Sequence, residues 1–435
     1  MSETRSYDRS LELWRRAIEM IPGGSQTNSK RATAYALGAF PIYAQSAEGA
    51  RIQDVDGNWY IDYILGLGPI TLGYCYPEMD AAIRAQLERG IIYGLLAPVE
   101  LEVAESVIEM VPCAEMVRFL KGGAEATTAA ARIARGYTGR EIILNCGYRG
   151  WADGWMAQST GMTGGVPDCL GGVIDGFARH DLDSLRAKLE EHAGRVAMVA
   201  LDPAGGGDRV PEGYHQGVRA LCDEFGALLM YDEIVTGFRM APGGGQEYFG
   251  VTPDLACFAK GVANGMPVGV VCGRAEVMRK ACDDLVISVT YGGEALSLAA
   301  AAAAMRVYRT EPVFETIWAT GARLMVGFDE LGEKHGVPLK CHGYEPMSSQ
   351  TIRYEDPKLS QDAWTLLLQE MAQRGVLLRR GGLLFITYSH GDAEVEETLA
   401  ALDESLALIA DAVDGGTVQD LLRVTEVKES FRSFA

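Results

Sequence analysis

The sequence predicts an α/β protein: a large domain on a mostly parallel sheet flanked by helices, plus a smaller α+β lobe from both termini. Three observations lead there. Short apolar runs alternate with segments of helical period through the middle of the chain, which is the pattern of successive βαβ units. Those runs are almost wholly apolar, as strands covered on both faces are. The 435 residues also exceed what one core usually holds, so more than one lobe is expected. The expected division is residues 1–65 as the N-terminal segment of the small lobe, 66–312 as the large domain, and 313–435 as the C-terminal small domain.

Taken in order, apolar residues at helical spacing over Ser10–Met20 predict a leading helix, ended by Pro22-Gly23-Gly24. Arg51–Tyr63 reads as a hairpin turning at Asp56-Gly57-Asn58, because Asp-Gly supplies the positive φ of a tight turn. The middle then alternates. Helices are expected at Glu100–Val111, Ala124–Tyr137, Leu182–His192 and Tyr214–Phe225, and at Ala295–Tyr308. The strands between them are Met116–Leu120, Ile142–Asn145, Ala197–Leu201, Ala227–Tyr231, Leu255–Ala259 and Val268–Cys272. Near Glu311-Pro312 the character changes. A long helix, Ile317–His335, leads into strands at Gln350–Arg353, Val376–Leu378 and Leu384–Tyr388, with helices Gln361–Arg374 and Glu394–Ala412.

Composition narrows the function. The net charge of −20 opposes nucleic-acid phosphates and anionic membrane surfaces, both of which need excess Lys and Arg. The longest apolar run, Ala295–Met305, falls short of the roughly 20 residues of a bilayer span. The N-terminus has no apolar signal core. Nine scattered cysteines without a C-x-x-C pair read as buried free thiols in a reducing, cytoplasmic setting. The six histidines show no ligand spacing, so no metal site is expected.

In open parallel sheets, ligands bind beyond the carboxyl ends of the strands. Four such places carry chemistry. Lys121-Gly122-Gly123-Ala124-Glu125 opens a helix after a strand, where glycine lets backbone amides approach an anion; an ordinary turn would look the same. Asp232-Glu233 ends an apolar strand and suits a metal or a protonated ring nitrogen, or equally a helix cap. Lys260 ends another strand among Cys257-Phe258-Ala259 and Gly261-Val262-Ala263. Desolvation there favours the neutral amine that attacks carbonyls, although lysines also snorkel from strand ends. Tyr148, in Cys146-Gly147-Tyr148-Arg149-Gly150-Trp151, could stack on a planar ring or pack beneath a loop. A phosphate cradle, a stacking aromatic, a carboxylate for a ring nitrogen and a Schiff-base lysine together are the needs of pyridoxal phosphate.

On these residues the chain resembles the class III (fold type I) pyridoxal-phosphate aminotransferases, and the glutamate-1-semialdehyde 2,1-aminomutase branch among them. The resemblance runs from Ile21-Pro22-Gly23-Gly24 through Asp54-Val55-Asp56-Gly57 and Met116-Val117-Arg118-Phe119. It is most specific over Tyr231–Arg239, Gly250–Leu255 and Lys260. It implies that Lys260 forms the internal aldimine and Asp232 pairs with the pyridine nitrogen. Ile234 and Tyr148 would cover the two ring faces, and Gly122, Gly123 and Ala124 would hold the phosphate. Thr290 would reach the phosphate of a neighbouring subunit, which implies a homodimer with shared sites.

The chain also departs from that pattern. The usual Asn-Ser-Gly-Thr-Glu-Ala loop is Lys121-Gly122-Gly123-Ala124-Glu125-Ala126, Tyr-His-Gly is Tyr148-Arg149-Gly150, and Glu-Pro is Asp202-Pro203. The aminomutase's Asn-Ser-Pro-Val-Arg is replaced by Gln26-Thr27-Asn28-Ser29-Lys30-Arg31, and its pocket tryptophan by Leu67. Gly292–Ser297 and Ile386–His390 look more like aminotransferases of sugar, cyclitol or antibiotic pathways. The expectation is therefore an aminotransferase acting between a small-molecule amino donor and a ketone or aldehyde in specialised metabolism. Lys30, Arg149 and Glu294 are candidate substrate residues. The alternatives are an aminomutase, a decarboxylating or epimerising relative, and a non-catalytic cofactor binder. No strand is followed by G-x-G-x-x-G with an acid about twenty residues on, which disfavours a dinucleotide enzyme.

Overall fold

The structure, a computed structural model, describes residues 5–159, 163–205, 207–283 and 285–424. Its first strands are β1 (Ala44–Glu48), β2 (Arg51–Asp54) and β3 (Trp59–Asp62). Those of the large sheet are β4 (Met116–Leu120), β5 (Ile142–Cys146), β6 (Ile174–Gly176), β7 (Val196–Leu201), β8 (Leu228–Asp232), β9 (Leu255–Phe258) and β10 (Gly269–Gly273). β11 (Leu339–Tyr344), β12 (Met347–Ile352), β13 (Val376–Leu377) and β14 (Leu383–Phe385) follow.

The seven central strands form one sheet in the order β4-β10-β9-β8-β7-β5-β6. β6, β5, β7, β8 and β9 pair in parallel, while β10 runs antiparallel to both β9 and β4. The reversal follows from chain length. Only ten residues join Phe258 to Gly269, too few for the crossover that a parallel neighbour needs. Every residue of β5, β7, β8, β9 and β10 is buried, so these strands are covered on both faces. Helix Gly123–Thr138 turns Ala126, Ala129, Ala130, Ile133 and Ala134 into that core, and small side chains let it lie close to the sheet. It stops at Gly139, whose φ of 67° is the left-handed cap.

The ends of the chain meet in a second sheet, β1-β2-β3-β13. Here the C-terminal Val376 pairs in parallel with the N-terminal Ile61. The expected hairpin is β2 and β3, antiparallel, with Gly57 at φ 93° in the turn. A three-stranded sheet, β11-β12-β14, completes the smaller lobe. Helices Val313–His335, Pro357–Gln373 and Asp392–Asp414 pack beside it.

Arg239 ties the lobes together. It is buried to 1% exposure, and its Nη atoms donate to the carbonyls of Ile386 (2.7 Å), Gly68 (2.9 Å) and Pro346 (3.4 Å). Its guanidinium carbon lies 5.0 Å from the Phe385 ring centroid.

Among the described residues, no helix is long and apolar enough to cross a membrane. Eight cysteines are described as free thiols. The expectation that the thiols are buried needs correcting for Cys75 and Cys169, which are exposed because both sit in connections rather than core strands.

Candidate active site

The carboxyl ends of the central strands converge on a cavity of about 220 Å³. The segment after β4 brings Gly123 and Ala124, that after β5 brings Tyr148 and Arg149, and that after β7 brings Asp202. β8 ends at Asp232 with Ile234 just beyond, and Lys260 follows β9. Met347 and Leu383 of the smaller lobe close one side. Of the residues the sequence singled out, Lys260, Asp232, Ile234, Tyr148, Gly123, Ala124 and Arg149 line this one cavity.

Lys260 opens a short turn, Lys260–Ala263, with φ at 47°. A non-glycine residue in that region costs roughly 1–2 kcal/mol, and strain of this kind concentrates at functional positions. Its neighbours Gly261, Val262 and Ala263 are fully enclosed, and Nζ lies 5.9 Å from the Phe385 ring centroid.

Asp232 is buried, with Oδ2 accepting from Arg149 Nη1 at 2.9 Å and Oδ1 from the Ile234 amide at 3.1 Å. Burial pushes its carboxyl above the usual carboxylate range, while the Arg149 charge and the Ile234 amide pull against that shift. Asp202 carries the opposite balance. Burial would raise it, but Arg149 and Arg179 outweigh burial and hold it down to about 2.

Gly122 caps helix Gly123–Thr138 without a side-chain acceptor, so the first-turn amides have no partner within the helix and suit an anion. Glycine at 123 is required by packing: a Cβ there would lie 2.5 Å from Ile234 Cδ1. At Gly150, with φ 123°, a Cβ would lie 2.7 Å from that of Ala124. Ile234 and the start of the helix are thus pressed together at the cavity wall.

The three expected substrate residues are placed differently. Arg149 spends every N–H elsewhere. Nε donates to Asn145 Oδ1 (3.1 Å), Nη1 to the Tyr148 carbonyl (2.8 Å) and Asp232, and Nη2 to the Cys146 carbonyl and Asp202 (2.9 Å). No donor remains for a substrate carboxylate. Glu294 caps helix Ala295–Thr310 through the amides of Leu296 and Ser297, and pairs with Lys121 Nζ at 2.7 Å. Lys121, at the place of the usual loop asparagine, explains that pairing. Lys30 is exposed and lines a separate cavity of about 360 Å³ with Tyr35, Tyr60, Asp62 and Tyr74.

Thr290 lies away from the Lys260 cavity in the same chain, on a surface hollow with Ile92, Leu95, Leu96 and Gly293. Tyr148 borders a second space of about 540 Å³, beside Gln26, Thr27, Asn28, Ser29 and Trp151. Sequence reasoning missed Asn145, Asp202 and Arg179 as parts of the site. Asp202 had a signal, standing where the resembling family has glutamate; Arg179 had none. Asp175, Glu191 and His192 also approach one another with ligand-like spacing. Lys188 Nζ, 2.8 Å from Asp175, already balances that group.

Residues 33–406 match the family described as Aminotransferase class-III. The chain belongs to that family. A relative from Cloacimonas acidaminovorans (strain Evry), named 3-aminobutyryl-CoA aminotransferase, is 33% identical over 413 residues, covering 94% of this chain and 99% of the relative. The PLP internal aldimine form of the Sphingopyxis sp. MTA144 FumI protein superposes with a TM-score of 0.87 at 29% identity, covering 94% and 98% of the two chains. An omega-transaminase from Sphaerobacter thermophilus gives a TM-score of 0.83 at 26% identity, with 92% and 98% covered. The protein is a class-III, pyridoxal-phosphate-dependent transaminase of fold type I. The cavity fits that cofactor, with an amine and a carboxylate on one enclosed space, glycine-bounded amides at a helix start, and an aromatic on the wall.

Proposed function

We propose that Lys260 carries the cofactor and moves the proton in the transfer, with Asp232 facing the ring nitrogen and Ile234 and Tyr148 covering the ring faces. Their placement on one enclosed cavity supports this reading. When bound, pyridoxal phosphate supplies a carbonyl that exchanges amines and a ring that takes up electron density from the substrate carbon. The amides after Gly122 would hold the phosphate end, and the wall around Gly123 and Ile234 would offer an apolar surface for one face of the ring. Lys260 Nζ, on a strained turn, is aimed into the cavity and serves as general base and acid at the substrate carbon.

The lining charges bear on substrate choice. Arg149 is matched to Asp202 and Asp232 and has every donor engaged, so its guanidinium is not a clamp for a carboxylate beside the reacting carbon. With Arg149 taken, we favour as acceptor a ketone or aldehyde without an adjacent carboxylate, as in specialised sugar, cyclitol or antibiotic chemistry. A β-amino acyl substrate, of the kind named for the Cloacimonas relative, meets the same requirement. An aminomutase of the glutamate-1-semialdehyde type is the rival within the family.

The site also calls for a second copy of the chain. Leu95 and Leu96 are 86% and 88% exposed, with Ile91, Ile92 and Leu101 beside them, a patch that a soluble monomer would not leave bare. Thr290 shares that surface, so in a homodimer the partner's Thr290 can reach the phosphate. With no membrane-crossing helix among the described residues and an acidic surface, we place the enzyme in the cytoplasm.

The test is a panel of amino donors followed by the visible absorption of the bound cofactor, which a productive donor bleaches. Lys260→Ala should bind the cofactor without that response while remaining folded by circular dichroism. A variant that still turns over would sink the assignment. Turnover of an amino-aldehyde alone, with no second carbonyl compound, would favour the aminomutase.

A further inference from the structure

Behind Asp232 lies a buried lattice of charges that the transfer chemistry does not itself use. Arg149 is 1% exposed and fully engaged, with one Nη1 hydrogen on Asp232 Oδ2 and one Nη2 hydrogen on Asp202 Oδ2. Asp202 Oδ1 accepts in turn from Arg179 Nη1 at 3.0 Å. Asn145, on the neighbouring strand, fixes Arg149 Nε and donates to the Gly147 carbonyl at 2.7 Å. Histidine, usual here in the resembling family, could not bridge two carboxylates and a carbonyl at once, because it has only two ring nitrogens. Guanidinium has five donors in a rigid fork.

We propose that Arg149 is a positioning residue that orients Asp232 and keeps it ionised against the cofactor's ring nitrogen, with Asp202 and Arg179 anchoring it from behind. This rests on the assignment of Asp232 to that nitrogen. Three features carry it. Arg149 and the Ile234 amide both hold the Asp232 carboxylate, one on each oxygen. A carboxylate this enclosed would otherwise take up a proton, because burial disfavours its charged form. And the Arg149 charge is itself stabilised on its far side by Asp202, so it can stay buried without competing fully for Asp232. The chain's exchange of histidine for Arg149 and of glutamate for Asp202 then form one change, since the longer arginine needs the shorter acid.

The experiment compares the full-length enzyme with Arg149→Met, Arg149→Lys and Asp232→Asn. Equilibrium dissociation constants are measured for pyridoxal phosphate and for its 1-deaza analogue, in which the ring nitrogen is carbon. Arg149→Met should weaken the natural cofactor by roughly tenfold or more, the scale on which supporting partners act. It should change the deaza analogue by less than about threefold. Arg149→Lys should recover part of the loss, and Arg149→Met added to Asp232→Asn should cost little more than Asp232→Asn alone. Equal weakening of both ligands would overturn the proposal, leaving Arg149 a packing residue. If Arg149→Met does not fold, the same comparison is read from Arg149→Lys, where equal affinity loss for both ligands overturns it too. Should Asp232→Asn itself leave the natural-cofactor preference unchanged, the assignment of Asp232 fails first, and the proposal with it.

Discussion

Asp202→Asn tests the lattice through stability rather than through ligand binding. In the folded chain Asp202 is drawn down from its ordinary 3.8 to about 2, against burial, by Arg149 and Arg179. At ~1.4 kcal/mol per unit, that shift corresponds to roughly 2 kcal/mol of folded-state stabilisation. A depressed carboxylate contributes fully above its unfolded pKa near 4 and loses that contribution as pH falls through about 2. Asparagine cannot ionise, so the wild-type advantage should be near 2 kcal/mol at pH 7 and shrink by about 1 kcal/mol between pH 5 and pH 3. Urea titrations read in parallel by far-ultraviolet dichroism and tryptophan fluorescence measure it, coincidence of the probes establishing a single transition. A difference that stays constant from pH 7 to pH 3 would refute the argument, because a lost contact without a charge has no such slope.

Further expectations concern the cavity wall and the surface. Gly123→Ala forces Ile234 aside, costing about 1–3 kcal/mol of local packing, and should weaken cofactor binding; Ile234→Ala in the same chain should restore much of it, as measured by cofactor titration. Leu96→Asp, at a site 88% exposed in the single chain, should convert a dimer to monomer in analytical ultracentrifugation and release cofactor. His390 is pushed down to about 3 by burial and by the Arg239 charge, below the usual 6.5. The protein should therefore gain stability as pH rises from about 3 to about 6.5, with this contribution level above that; in His390→Phe that component of the slope should vanish from the urea midpoints.

Much of the central sheet was legible because its strands are apolar over most of their length. Met116–Leu120 and helix Tyr214–Phe225 match residue for residue, and most other central elements match within one or two positions. The misses have physical causes. β1 is Ala-Gln-Ser-Ala-Glu and mostly exposed, so its backbone pairing leaves no apolar period to read. β6 is three residues long, and β11 mixes Lys340 and His342 with Leu339. Helix Pro77–Leu87 buries only Met79. At the site, Lys260 and Asp232 could be found because each ends an apolar strand. Arg149 was visible as an unusual residue, but its partners were not. Whether a guanidinium faces a substrate or two neighbouring acids depends on Asp202, fifty-three positions away in sequence, and only the fold brings them together.

The Arg239 staple has a consequence for how the protein can be divided. Its dehydrated cation is met by carbonyls from residues 68, 346 and 386, stretches on both sides of the change in character near residue 312. Splitting the gene there would give two fragments, one holding Arg239 with only the Gly68 carbonyl and the Thr71 hydroxyl to meet it, the other holding the Pro346 and Ile386 carbonyls turned toward nothing. Neither half would be a tractable soluble piece by itself. Such an enzyme is better trimmed at its tips than cut at its waist.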